Sequence, residues 1–130
     1  MDSTTKSEKF FFITGALLAA LTIGIGAYGA HAGSKFIEGH EFITFIKGVR
    51  YQMFDIVGIF LTSYAISKYP GQVKLLKIAG WLFIAGIILF SGSLYIIVFF
   101  NVKMGYITPT GGTAFILGWL ILAYAVWKAK

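Results

Sequence analysis

From Phe10 to Ala30 the chain runs for twenty-one residues without one charged side chain. A helix needs about 20 apolar residues to cross the hydrocarbon of a bilayer. Comparable runs follow at roughly 49–67, 75–99 and 109–127, each closed by lysine, proline or glycine. Hydrophobic residues make up 58% of the 130 residues and charged ones 12%, about half the charged share of a soluble domain. A soluble fold of this length could not hide that much apolar surface. The sequence therefore predicts one all-α domain over 1–130, an integral membrane bundle of four transmembrane helices.

The polar stretch Met1 to Lys9 is expected to fray or to lie on the membrane surface. Lys6 and Lys9 ahead of an apolar run, with Ala30-His31-Ala32 behind it, also fit a cleaved signal peptide, but the run exceeds a typical signal core. It is read as helix one. Ser34 to Gly48 carries Lys35, Glu38, His40, Glu41 and Lys47 and is no span. At 100° per residue Phe36, Phe42, Ile43, Phe45 and Ile46 share one half of a helix, with His40, Glu41, Thr44 and Lys47 mostly on the other. Glu38 sits on the apolar side. The pattern predicts a short amphipathic helix in the interface, the alternative being an ordered loop packed on the bundle. Helix two ends before Lys68-Tyr69-Pro70-Gly71. Helix three starts near Lys74 or Leu75, and its apolar run continues to Val102, so it either tilts or loosens at Ser91-Gly92-Ser93. For helix four, Thr108 is placed to cap and Pro109 suits the first turn.

A formal charge of +6 does not point to nucleic acid, because the basic residues are scattered between apolar runs rather than gathered on one face. They mark helix ends. With four spans, Lys6, Lys9, Lys68, Lys74, Lys77, Lys128 and Lys130 lie on one side, against Lys35, Lys47, Arg50 and Lys103 on the other. The positive-inside rule then puts both termini in the cytoplasm. Tyr64, Tyr69, Tyr124 and Trp127 would belt the inner surface, and Tyr28, Tyr51, Tyr95 and Tyr106 the outer one. With no cysteine, disulfides, thiolate metal sites and cysteine lipidation are excluded.

Gly24-Ile25-Gly26-Ala27-Tyr28-Gly29 matches a dinucleotide fingerprint formally, but that motif works only on a turn between strand and helix. Inside a span it reads as close helix packing, with Ala16, Ala20 and Gly24 forming a small-residue ridge and Gly29 continuing the small spacing. Asp55 is the only acid inside any expected span. Tyr51, Asp55, Gly58 and Thr62 recur at helical spacing as one small or polar stripe, and His31, just past helix one on the same side, is a candidate partner for Asp55. Three roles stand open for this acid: a structural hydrogen bond or ion pair, a functional proton or ligand site, and a hydrated interfacial group. It lies five residues past Arg50, about 7.5 Å deeper along a helix, which suggests a shallow position. His31 and His40 without cysteine fall short of a metal set, so no metal or cofactor is expected. His31 suits the negative end of helix one. Hydrolase signatures are missing, and the chain is read as non-catalytic.

Several motifs together resemble a known family. Gly26-Ala27-Tyr28-Gly29-Ala30-His31 is similar to its "GAFGAH", and Arg50-Tyr51-Gln52-Met53-Phe54 to its "YQMYH". Phe90-Ser91-Gly92-Ser93-Leu94-Tyr95, and Thr108-Pro109-Thr110-Gly111-Gly112 followed by Gly118-Trp119, resemble two more. The family is domain-of-unknown-function family 423, small four-helix bacterial inner-membrane proteins with eukaryotic relatives. The resemblance covers nearly the whole chain and implies that architecture and location. Asp55 stands where the family usually has a histidine, which would replace a histidine pair by a charge-complementary one with His31. No activity comes with the resemblance. Three functions are carried forward: an accessory or assembly subunit of a larger membrane complex, a small proton-coupled transporter or channel working as an oligomer, and a lipid-binding membrane organiser built on the interfacial segment. The expected partners are the lipid bilayer and other membrane subunits, with a homo-oligomer open and nucleic acid excluded.

Overall fold

The computed structural model describes residues 2–31, 37 and 39–130, and the regular structure within them is entirely helical. Helix α1 spans Ser3–His31 and α2 Gly39–Lys68; a 3-10 turn, Pro70–Gln72, leads into α3, Val73–Gly86. A π-helical segment, Ile87–Ser91, joins α3 to α4, Gly92–Phe100, and α5 covers Ile107–Lys128. Because α3, the π segment and α4 follow without a break, the molecule is a bundle of four helical rods.

The ends follow from local chemistry. Asp2 accepts a hydrogen bond from the Thr5 backbone N–H at 2.8 Å, capping an orphan donor of the first turn. That bond holds the Asp2 carboxyl below its ordinary value. A depressed carboxylate supports the folded helix end above its unfolded value and loses that support as the pH falls. The polar N-terminal stretch therefore does not fray as expected: from Ser3 on it is the first two turns of α1. Ser7 is buried, and Ser63 of α2 donates to the Glu8 carbonyl at 2.8 Å. Helix α4 stops at Asn101, which takes the left-handed conformation at φ 54° and bonds its N–H to the Ile97 carbonyl. Helix α5 starts at Ile107 without a side-chain cap; the Thr108 hydroxyl pairs across the bundle with Ser93 at 2.5 Å instead.

Helices α1 and α2 run antiparallel, with Gly15 against Phe60 near one end and Gly29 against Phe45 near the other. The inward positions of α2 are Phe45, Gly48, Gln52, Asp55, Ile59, Thr62 and Ile66. They alternate steps of three and four, the seam of helices packed at a shallow angle. Lipid is as apolar as leucine, so small residues that let backbones approach must hold such a bundle together. Here phenylalanine rings fill the glycine gaps: Phe83 faces both Gly58 and Gly118, Phe11 faces Gly80, and Phe115 faces Gly86. With Ile59, Ile66 and Leu76 these rings form the core.

Three helical stretches are long and apolar enough to cross a membrane by length and composition: Ser3–His31, Pro70–Phe100 and Ile107–Lys128. Helix α2 falls outside that group because Arg50, Gln52 and Asp55 dilute its apolar run, yet it packs alongside α1 and α3. Its 30 residues reach about 45 Å. A separate interfacial helix is not what forms. From Gly39 the amphipathic segment is already α2, running through Val49 without a break, since nothing in Gly48-Val49-Arg50 stops a helix. His40 and Glu41 are exposed on turns that overshoot the apolar run of α1. Ser34, Lys35, Phe36 and Glu38 of that expectation lie outside the described residues. The expected loosening near Ser91 is present as the π segment.

The Ala16, Ala20, Gly24 ridge is a second correction. All three are exposed, and a Cβ on Gly24 would meet nothing within 4 Å. Helix α1 packs through Phe11, Gly15, Thr22 and Gly29, so only Gly29 of the expected packing set is buried. Tyr95, expected at the outer surface, instead turns its hydroxyl inward.

Two alanine substitutions separate these faces. A Cβ on Gly111 would sit 2.8 Å from both the Leu89 carbonyl carbon and the Phe90 Cα, rigid backbone that cannot yield. Gly111→Ala should cost about 1–3 kcal/mol of stability by overpacking. Gly24→Ala should be neutral or slightly stabilising through helix propensity. Thermal unfolding in detergent, read by loss of monodisperse protein, checks both.

Candidate functional site

The seam of α2 carries polar groups into the bundle, and most of them meet a donor or acceptor on another helix. Gln52 is 2% exposed, and its Oε1 accepts from the Tyr95 hydroxyl of α4 at 2.6 Å. One turn away the Gly48 carbonyl accepts from Ser91 Oγ at 2.8 Å. Asp55 is 1% exposed, and its Oδ1 accepts from the Trp119 indole N–H of α5 at 2.9 Å. Thr62 bonds back to the Gly58 carbonyl at 2.8 Å. Among the described residues no buried side-chain nitrogen or oxygen is left without a partner.

The partner of Asp55 is therefore Trp119 and not His31. The antiparallel register explains why. Gly15 faces Phe60 and Gly26 faces Val49, which puts Asp55 level with Ala20, eleven residues and about 16 Å from His31 along α1. His31 ends α1 at the surface, where a cationic ring suits the helix dipole. The same register corrects the depth. Ala20 is the midpoint of the apolar run 10–30, and Trp119 lies in the middle of α5. Asp55 is thus level with the middle of the apolar run of α1 and of α5, deeper in the bundle than its spacing from Arg50 suggests.

Beside this acid a cleft of about 550 Å³ opens on the flank of the bundle between α2 and α5. The π segment forms its floor through Phe90. The extra residue of a π turn widens the helix locally, and Gly111 lies directly against the Leu89–Phe90 backbone there. Tyr51 and Phe54 of α2 stand on one wall, and Gly112, Ile116 and Trp119 of α5 on the other. Tyr51 meets Phe90 edge-on at 5.1 Å, and Phe54 packs on Trp119 at 5.3 Å. Tyr51 is 44% exposed at the mouth and completes no bond to Asp55. Asp55 lines this cleft, and the bond from Trp119 is its one side-chain hydrogen bond among the described residues. No three His, Asp or Glu side chains gather as metal ligands among the described residues.

The motif residues meet in this region. Gln52 joins Tyr95, Ser91 joins Gly48, Ser93 joins Thr108 and Trp119 joins Asp55. Pro109, Gly111 and Gly112 set how closely the first turns of α5 approach the π segment, and Gly92 follows that segment directly. Gly26 and Gly29 hold α1 to α2 at Val49 and Phe45. Sequence reasoning singled out Asp55, Tyr51 and Trp119 separately and missed the bond between the first and the last. The available signal was that a tryptophan N–H buried in lipid has to find an acceptor. Phe54, Phe90 and Ile116 as cleft walls carried no signal of their own. Trp119→Phe removes the donor and keeps the ring, so it should cost about 1–3 kcal/mol of stability through the orphaned carboxylate. Asp55→Asn, which still accepts from the indole, should cost less; thermal unfolding of both variants side by side gives the order.

The family described as protein of unknown function (DUF423) matches residues 25–112. The UPF0382 membrane protein YwdK of Bacillus subtilis (strain 168) is 40% identical over 121 residues, covering 92% of this chain and 98% of that protein. The UPF0382 membrane protein SAB0533 of Staphylococcus aureus (strain bovine RF122 / ET3-1) is 42% identical over 92% of this chain and 97% of its own length. SH2409 of Staphylococcus haemolyticus (strain JCSC1435) is 37% identical over the same shares. No solved structure matches the chain. With the match running from the end of α1 to the start of α5, through the motifs that join the helices, the chain is a membrane protein belonging to the DUF423 family.

Proposed function

We propose that this protein is a non-catalytic accessory or assembly subunit of a larger membrane complex, seated in the bacterial inner membrane with both termini in the cytoplasm. The observation that carries this reading is the outward face of α1. Ala16, Ala20 and Gly24 are exposed in one row, a Cβ on Gly24 meets nothing within 4 Å, and Ala20 and Gly24 line a groove of about 830 Å³ with Tyr28, Tyr95, Phe99 and Phe100. A second transmembrane helix packs most closely where small residues let its backbone approach. The interior supports the same reading. Its interhelical bonds tie α1, α2, α4 and α5 into one fixed body, which suits a scaffold better than a carrier that must rock between two states.

Purification from native membranes in mild detergent, without overexpression, should yield an assembly much larger than the 14.3 kDa chain. Gly24→Leu fills the strip without touching the rest of the bundle. It should shift the protein to its monomer mass while leaving its thermal stability near that of the parent. A wild-type protein that elutes alone, or a Gly24→Leu variant that keeps the full assembly, would contradict this reading.

A proton-coupled transporter has one observation in its favour, the level of Asp55 with the middle of α1 and α5. In that case Asp55→Asn abolishes proton-coupled flux in vesicles, and unchanged flux removes the mechanism. Lipid organisation by an interfacial helix loses the separate element it relied on, since that segment is the start of α2.

A further inference from the structure

Asp55 has one side-chain hydrogen bond among the described residues. Trp119 takes Oδ1, and the residue lines the cleft between α2 and α5, where it is the one acid among the lining residues. Ionised acids at mid-depth of a bilayer are costly and call for a counter-charge. Among the described residues no lysine, arginine or histidine lines this cleft; the nearest cation in sequence, Arg50, is exposed and lies about 7.5 Å further along α2. Five aromatic residues, Tyr51, Phe54, Phe90, Phe115 and Trp119, line the cleft together with Asp55. Aromatic faces around a carboxylate recognise an organic ammonium, the rings through their negative faces and the acid through charge. The volume, about 550 Å³, falls in the usual range for a small-molecule site. The flank position lets a ligand enter sideways from the hydrocarbon.

We infer that the cleft between α2 and α5 is a binding site for a lipophilic organic ammonium, with the charged nitrogen against the Asp55 carboxylate and its apolar tail leaving between Phe54 and Ile116. The depth favours an amine dissolved in the bilayer over a lipid headgroup, because a headgroup amine is anchored at the surface. This site shares no residue with the α1 strip, so it stands or falls independently of the subunit reading.

The test uses the full chain in phosphatidylcholine nanodiscs, titrated calorimetrically with n-octylammonium and with n-octanol as its neutral counterpart. The wild type should bind the ammonium about tenfold or more tightly than the alcohol. Asp55→Asn, which keeps the shape and the acceptor for Trp119, should remove that difference and leave octanol unchanged. Gly112→Leu is the second variant: a Cβ there meets only the Phe90 ring at ordinary distances of 3.6 and 3.8 Å, so the rest of the side chain enters the cleft. It should weaken both probes with Asp55 intact. Replacing part of the phosphatidylcholine by phosphatidylethanolamine distinguishes the sources. Unchanged octylammonium binding supports a free amine, and competition that vanishes in Asp55→Asn keeps the site and identifies the headgroup as its ligand. Equal binding of ammonium and alcohol by the wild type, or full ammonium binding by Asp55→Asn or Gly112→Leu, overturns the inference.

Discussion

In hydrocarbon there is no water to satisfy a polar side chain, and α2 brings Gln52 and Asp55 into it. The rest of the bundle is arranged around that requirement. Trp119 of α5 answers Asp55, Tyr95 of α4 answers Gln52, and Ser91 of the π segment answers the Gly48 carbonyl. A charged residue at the centre of a membrane helix costs about 2.5–3.5 kcal/mol on insertion scales, and a hydrogen bond to a charged group returns about 1.5–3 kcal/mol. The two are close enough that α2 is tolerable beside its partners and poor alone. Helix α2 is correspondingly the most inward-facing of the four rods, while α1 turns Leu17 and Ile23 outward at 67% and 71% exposure.

Shape follows from the same bonds. For Ser91 to reach α2 while Phe90 faces α5, the chain must change its angular register within one turn, and the π segment does so. That widened turn would leave a void if α5 stood off, and Gly111 closes it by backbone contact with Leu89 and Phe90. The cleft beside Asp55 lies between this stretch of α5 and α2. Phenylalanine rings seated on Gly58, Gly80, Gly86 and Gly118 fix the remaining distances, so the polar bonds are held in a rigid frame.

The helical runs, their order and the membrane setting were legible because the bilayer dictates length and composition almost directly. Which face turns inward was not. On α1, Gly15 and Gly29 pack while Ala16, Ala20 and Gly24 do not, and both sets have small-residue spacing. With lipid as apolar as the core, hydrophobic periodicity carries no inside or outside signal. On α2 the polar residues do carry it in part: Asp55, Gly58 and Thr62 are buried as their spacing suggested, while Tyr51 of the same stripe is exposed. The pairing of Asp55 with His31 failed for a different reason. Both were placed by the side of the membrane on which their helices begin or end, whereas depth depends on the register between α1 and α2, which Gly15–Phe60 and Gly29–Phe45 set. The interfacial helix failed because amphipathicity describes a face and says nothing of whether the axis bends at Val49.

Everything above depends on α2 crossing the bilayer with its neighbours although its composition alone does not require it. The chain has no cysteine, so single cysteines can be introduced cleanly at His40, exposed on the first turn of α2, and at Gly71, where a Cβ meets nothing within 4 Å just past its end. Labelling each from one face of sealed, oriented vesicles with a membrane-impermeant maleimide gives the answer directly. Labelling of the two positions from opposite faces is the expected result. Labelling of both from the same face would contradict a spanning α2 and, with it, the mid-membrane position of Asp55.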